Sequence, residues 1–453
     1  VWRVATTPQY LSPGQLRTLV AAAEVVIAGV PEILSADEVA ANVDRYLAGF
    51  PSDRKAIAKV ALTALEWYPV LLLRPRLSRM AAPARRAFIE RKFRRDIRLR
   101  RVLRPIRFLV QAMIRFAQQL AYLGYYGDPR TFASVGYVPY RLRPGREQPP
   151  PVAVPLRVSG PDDLPATLDV NVCVIGSGAG GAMVAHALGT LGVRGVLVVE
   201  RGSFVPPAQF SDDELDMMAK LYADGALQLS RDFRVQVLQG SCVGGTTVVN
   251  NAVCFDLPPA VRDRWNAPEL AAGLAPAELD AAFTTVRGLL TIGVQPAAAL
   301  NRGAPKFVAG ARQRGLDRPP HRFGIVEANI AGCLGCGYCN IGCAYGKKLS
   351  MLDTVLPWAQ RDFGLQVLAS CDVHHLEMRG RRAVAAHVRL PGGRRLVVRA
   401  RTFVVSAGTF ASSQLLWQSR LGGPNVGRRV SLNVGSPLHA GFRGERLDSY
   451  DGL

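Results

Sequence analysis

The stretch Leu168–Gly202, LDVNVCVIGSGAGGAMVAHALGTLGVRGVLVVERG, constrains the fold of this chain more than any other. Asn171 aside, Val170–Ile175 is apolar and rich in β-branched residues, so it reads as a strand with no face to show to water. It feeds Gly176, Gly178 and Gly181 in G-x-G-x-x-G spacing, and a helical pattern follows to about Leu191. The first glycine permits a tight turn, the second lets backbone approach a pyrophosphate, and the third lets the helix pack closely on the strand. The helix N-terminus then offers unpaired N–H groups to phosphate. A second buried run, Val196–Val199, ends in Glu200, placed to accept from a ribose hydroxyl and to repel a 2′-phosphate. The ligand expected is a dinucleotide of the FAD or NAD type.

At 453 residues the chain exceeds one ordinary core, so two or three domains are expected. Its formal charge of +21 is uneven: residues 1–150 hold 25 Lys and Arg against 11 Asp and Glu. Within that basic third, Ser12-Pro13-Gly14-Gln15 and Ser35–Glu38 read as helix-capping boxes. Helical patterns follow over Ala56–Leu73 and from Ala84 to about Leu123, the latter broken by Pro105. The densest basic run is Arg85–Arg107. It is either a site of peripheral attachment to an anionic membrane or acidic partner, or a solvated arginine-rich helix face. No nucleic-acid motif accompanies the charge, and none is expected as a partner. Neither a signal peptide nor a run of about eighteen apolar residues is visible, so a cytoplasmic or peripherally membrane-associated protein is expected.

A second signal separates flavin from nicotinamide chemistry. In LQGSCVGGTTVVNNAVCF, Leu238–Phe255, adjacent Gly244 and Gly245 precede Thr246 and Thr247, a segment able to lie against a flat ligand. Here the chain resembles the glucose–methanol–choline (GMC) family of FAD-dependent oxidoreductases, matching a Gly-Gly-Ser/Thr-Ser/Thr segment followed by Asn250. Phe403–Gly422 resembles that family's second signature through Ala407-Gly408-Thr409, Ser412-Ser413 and Leu415-Leu416, with Arg420 as a departure where the family usually has glycine. Between these blocks, Gln366–Cys371 followed by Val373 reads as a strand that brings backbone to the adenine side. Ala383–Arg399 reads as a hairpin around Pro391-Gly392-Gly393. The resemblance implies FAD held by Gly176, Gly178, Gly181, Glu200, Gly240, Gly244, Gly245, Thr246, Thr247, Asn250, Val373, Ala407 and Gly408. Within the family the chain looks most like long-chain alcohol oxidases and their bacterial relatives. Gly124–Pro129 and Gly136-Tyr137 resemble, more faintly, subunit 3 of gluconate 2-dehydrogenase.

Four of the eight cysteines, Cys333, Cys336, Cys339 and Cys343, stand in C-x2-C-x2-C-x3-C spacing, with Ala344 in place of the usual proline. An iron–sulfur cluster, a zinc site and disulfides remain open for them. Cys173, Cys242, Cys254 and Cys371 read as packing residues.

The expected fold is α/β. A Rossmann-like FAD-binding fold with an antiparallel excursion follows an all-α N-terminal domain, and the C-terminal substrate domain is expected to be incomplete. The boundaries read as 1–144 helical, 145–166 a Pro-rich linker, 167–257 the first FAD-binding part and 258–365 a cap or insertion with the cysteines. Residues 366–453 read as the second FAD-binding part and the start of a substrate domain. The family resemblance implies oxidation of an alcohol CH–OH group, with O2 or a redox partner as electron acceptor. Its catalytic histidine is expected outside this chain, His439 being a poor match, and Asn250 is the remaining candidate at the reactive flavin edge. Two alternatives stand beside that reading. One is a sugar or sterol dehydrogenase that exports electrons through an iron–sulfur cluster, and the other is a non-catalytic flavoprotein or electron-transfer fragment.

Overall fold

The computed structural model describes residues 7–50, 55–94, 104–146, 148–162, 164–231, 234–268, 272–318, 323, 326–431, 441–445, 447 and 452. They divide into two compact units, one of residues 1–143 with 211–239 and the other of residues 144–210 with 240–453.

The first unit is helical: α1 (Pro13–Val26), α2 (Ala36–Ala48), α3 (Ala56–Trp67), α4 (Ala82–Arg94) and α5 (Arg104–Tyr126). Both capping boxes form. Ser12 accepts from the Gln15 N–H while the Gln15 side chain accepts from the Ser12 N–H, and Ser35 and Glu38 repeat the exchange. The apolar stripes of α1, α2, α3 and α5 close on one core that includes Leu19, Val39, Leu47, Leu62, Phe116 and Leu120. Pro105 does not break a helix. It is the second residue of α5, where its missing N–H has no intrahelical partner to lose. The expected helix Ala56–Leu73 ends at Trp67 and tightens into a 3-10 turn, Tyr68–Leu72, because Pro69 has no N–H to continue it. Residues 211–239, expected inside the span 167–257, contribute α7 (Glu214–Leu221) to this unit, with Met217 and Leu221 fully buried and Leu215 and Met218 packed on the helical core.

In the second unit, β1 (Thr167–Ile175), β2 (Val196–Val199), β5 (Gln366–Leu368), β6 (Asp372–Arg379), β7 (Arg382–Arg389) and β8 (Arg395–Val405) form one mixed sheet in the order β5-β2-β1-β8-β7-β6. β5, β2, β1 and β8 run parallel, and β8, β7 and β6 form an antiparallel meander turned at Pro391–Gly393. This is the expected α/β architecture with its antiparallel excursion. β2 is apolar and buried at every position, Val196–Val199, and β1 is buried from Val172 to Ile175, as expected for parallel strands packed on both faces. α6 (Ala179–Thr190) provides the crossover from β1 to β2, with α11 (Val355–Phe363) packed against it, and α12 (Gly408–Gln418) follows β8. Val373 lies at the start of β6, three residues beyond the tight turn that ends β5. A small insertion carries α8 (Pro259–Asn266), α9 (Pro276–Leu289), α10 (Gly303–Gln313) and the two-residue strands β3 (Gly293–Val294) and β4 (Glu327–Ala328). The Pro-rich stretch 145–166 is bonded to this unit, through Val152 N–H to the Ala344 carbonyl (2.9 Å) and Ser159 N–H to the Val367 carbonyl (3.0 Å).

Two positions make the packing testable. A methyl on Gly124 of α5 would lie 2.5 Å from the Val39 carbonyl oxygen and 2.7 Å from Val43 Cγ2, so Gly124→Ala is expected to destabilise the helical unit by about 1–3 kcal/mol in urea unfolding. Exposed Arg420 adopts φ +58° after α12, the left-handed conformation that favours glycine. Arg420→Gly is expected to raise stability by about 1 kcal/mol in the same measurement.

Candidate functional site

The site is built where β1 and β8 end. Gly176 leaves β1 at φ +102°, and a methyl there would stand 2.5 Å from the Ser406 carbonyl oxygen at the end of β8. Gly178 caps α6 with no side-chain hydrogen bond, so the first N–H groups of that helix point outward unpaired. A methyl on Gly181 would overlap the Gly176 carbonyl, which is why the helix can seat so closely over the turn. Ala407 caps α12, and Gly244 the short 3-10 turn Gly245–Val248, again without side-chain partners. A methyl on Gly245 would come within 2.7 Å of Gly178 Cα, and one on Gly240 within 2.6 Å of the Gly245 carbonyl group.

Glu200 is buried at the end of β2 and is already engaged. One carboxylate oxygen accepts from the Ser177 N–H (2.9 Å) and the Ser177 hydroxyl (2.7 Å), and the other from the Gly202 N–H (2.8 Å). The same Ser177 oxygen accepts from the Gly244 N–H at 3.0 Å. A carboxylate has about four acceptor positions, so one remains for a ligand hydroxyl. Thr246 and Thr247 also tie their own turn. Thr246 Oγ1 accepts from the Gly240 N–H (3.0 Å), while Thr247 Oγ1 donates to the Gly244 carbonyl (2.7 Å) and accepts from the Met351 N–H (3.0 Å). Asn250 is half-buried, its Oδ1 accepting from the Ala252 N–H (3.1 Å) and its amide Nδ2 making no hydrogen bond among the described residues. Near Val373, the Cys371 N–H donates to the Glu200 carbonyl (2.8 Å), so that backbone borders the same crevice.

Lys348 is the residue that the sequence reading leaves out of the site. It is 2% exposed, and its Nζ donates to the carbonyls of Val248 (2.6 Å), Asn250 (3.0 Å) and Cys339 (2.6 Å). Burial lowers its pKa, and nearby Cys339 and Cys343 oppose that shift. The ammonium thus ties the cysteine-rich loop to the segment carrying Asn250.

Cys333, Cys336, Cys339 and Cys343 line one cavity with Lys348, and all four are free thiols. Burial pushes the Cys336 thiol up to about 12, and its neighbouring cysteines add to that shift. Among the described residues no group of three or more His, Cys, Asp or Glu side chains is placed to hold a metal ion. The iron–sulfur and zinc readings of this run thus find no support among the described residues, and no disulfide joins the cysteines. Shared spacing brings the four thiols to one loop and one cavity. Of the histidines, His186 packs edge-on against Phe363, and His374, His375 and His387 lie on the β6–β7 pair. His321 and His439 lie outside the described residues, as do Arg95, Arg98, Arg100 and Arg101 of the basic run.

The Ser177 hydroxyl serves two partners at once, so Ser177→Ala leaves the buried Gly244 N–H unsatisfied. A loss of about 1–3 kcal/mol is expected in denaturant unfolding, with the Gly240–Asn250 segment gaining hydrogen exchange.

Comparison with known proteins bears on the same elements. Residues 218–435 match the GMC oxidoreductase family model. An uncharacterized GMC-type oxidoreductase of Mycobacterium tuberculosis is 34% identical over 281 residues, covering 61% of this chain and 43% of that protein. A long-chain-alcohol oxidase of Arabidopsis thaliana is 27% identical over 281 residues, covering 59% of this chain and 36% of the relative. A cholesterol oxidase of Mycobacterium tuberculosis is 26% identical over 300 residues, covering 58% and 50%. The chain thus spans at most half the length of these curated relatives. The matched segment runs from within α7 through the Gly-Gly-Thr-Thr turn, β8 and α12, so residues 218–435 carry a GMC oxidoreductase domain.

Proposed function

We propose that this protein binds FAD in the crevice at the ends of β1, β2 and β8 and oxidises the CH–OH group of an alcohol, with long-chain alcohols as the favoured substrate class. The observation that carries the reading is the pairing of two glycine turns, Gly176–Gly181 and Gly240–Gly245, through Ser177 and Glu200. Around that pairing, backbone approaches too closely for side chains and α6 begins without a side-chain cap. Such a cradle fits a flat, doubly phosphorylated ligand. The long-chain-alcohol oxidase relative supports the substrate class.

FAD held there would supply a two-electron acceptor for hydride from the carbinol carbon. The residues of the chain then have distinct tasks. The unpaired N–H groups of Ala179, Gly180 and Gly181 receive pyrophosphate oxygens, helped by the positive end of α6. Glu200 offers its remaining acceptor position to a ribose hydroxyl. Gly240, Gly244 and Gly245 let backbone lie against the ring system, and Thr246 and Thr247 hold that turn in shape. Asn250 presents its free amide N–H groups toward the reacting edge, as a hydrogen-bond donor that orients the alcohol oxygen. Val373, Ala407 and Gly408 border the rest of the cofactor. The electron acceptor is O2 or a redox partner.

Full-length protein is expected to retain FAD through gel filtration, and Glu200→Ala to weaken FAD affinity by at least about tenfold. Anaerobic addition of long-chain primary alcohols is expected to bleach the visible flavin band, and Asn250→Ala to slow that bleaching while leaving FAD affinity intact. Protein that takes up no FAD would remove the reading altogether. Retained FAD that no alcohol reduces would leave a flavoprotein without this activity.

A further inference from the structure

One turn of the helical unit shows water a set of side chains that a folded core would normally claim. α3 ends at Trp67 and runs into the 3-10 turn Tyr68–Leu72, beyond which Leu73 closes the turn at φ +56°. Trp67, Val70, Leu71, Leu72 and Leu73 are all exposed, Leu71 by 79% and Leu73 by 99%. The turn is not a loose end. Pro69 and Leu77 on either side of it are buried, and the Leu73 and Arg74 N–H groups donate back to Val70 (3.0 Å) and Pro69 (3.1 Å). Below it, the Glu66 carboxylate accepts from the Ser78 N–H (3.0 Å), the Ser78 hydroxyl (2.6 Å) and the Thr18 hydroxyl (3.1 Å). The apolar tip is therefore held outward by a stapled base. Leucine is also a costly choice at a left-handed, fully exposed position, where glycine or asparagine would fold more easily. Folding gives no reason for it.

The charge around the tip says what it meets. Arg74, Arg76 and Arg79 follow directly, no Asp or Glu occurs from residue 67 to residue 89, and none of the three arginines pairs with a carboxylate among the described residues. The Arg76 guanidinium lies 3.6 Å from the Trp67 ring centre. Two residues of the expected basic run are committed elsewhere, buried Arg85 to Glu24 and Arg86 to Glu90. No helix among the described residues is long and apolar enough to cross a membrane.

We propose that the 67–73 turn is a wedge that docks this protein on an anionic phospholipid bilayer. Leu71, Leu72 and Leu73 enter the acyl boundary, Trp67 sits at headgroup depth, and Arg74, Arg76 and Arg79 meet lipid phosphates. An apolar tip inside a collar of unpaired arginines matches such an interface, whereas a protein partner would need a shaped pocket and acids of its own. The wedge is independent of the flavin site, so alcohol oxidation can fail while it stands.

The test uses the full chain and vesicles of phosphatidylcholine with or without phosphatidylglycerol. Co-flotation with the anionic vesicles is expected, together with quenching of Trp67 by brominated acyl chains that disappears in Trp67→Phe. Leu71→Ser/Leu73→Ser is expected to lower partitioning at least tenfold with an unchanged thermal transition, since both side chains are already in water. Arg74→Gln/Arg76→Gln is expected to erase the preference for anionic vesicles. Equal partitioning of the leucine variant, or no partitioning of the parent chain, would overturn the proposal. So would self-association that the leucine variant abolishes while vesicle binding is unaffected, because the tip would then serve a second copy of the chain.

Discussion

The buried relay from the Gly244 N–H through the Ser177 hydroxyl to the Glu200 carboxylate is the interaction on which the site depends. It joins three places far apart in sequence, the turn after β1, the end of β2 and the Gly-Gly turn. A buried carboxylate is tolerated only when its oxygens are satisfied, and here the donors are supplied by the loops that must be positioned. Strand register makes this work. Val174 pairs with Val198 and Ile175 with Val199, so Glu200 emerges level with Gly176, next to Ser177. Slipping one strand by a residue would face the carboxylate away from the turn and bury it unpaired.

Much of this was legible in the sequence, for reasons that differ from element to element. The two capping boxes are local devices: spacing fixes both the hydrogen bonds and the helix start. The glycines of the first turn are legible because few reasons compel three of them at that spacing, and Gly176 and Gly181 prove to sit where a methyl would strike backbone. The hairpin around Pro391–Gly393 follows from turn chemistry. Arg420 is instructive in the opposite sense. The family's glycine is replaced, yet the backbone keeps the left-handed conformation, so the turn is imposed by its surroundings and the side chain bears the strain.

What stayed hidden depends on contacts distant in sequence. Ser177 occupies a variable position of the glycine motif, and only the fold brings Gly244 to it. The burial of Lys348 is hidden too, since a lone ammonium is seldom buried and three carbonyls from two loops are needed to make it tolerable. The cysteine run is legible as a cluster and not as a ligand set, because spacing brings thiols near one another without fixing what they hold. Pro105 looked like a break because the sequence does not say whether a proline ends one helix or begins the next.

The excursion of residues 211–239 has a consequence for how this architecture can be taken apart. The helical unit is not a bead threaded at one end of the chain. The polypeptide leaves the dinucleotide fold between Phe210 and Gly240 to complete it, packing Leu215 and Met218 on the helical core. Cutting the chain near residue 144 would therefore not yield two self-sufficient halves. One fragment would lack part of its wall, and the other would carry an orphaned apolar helix with nothing of its own to cover it. The two units are joined by topology as well as by a linker, the chain crossing between them three times.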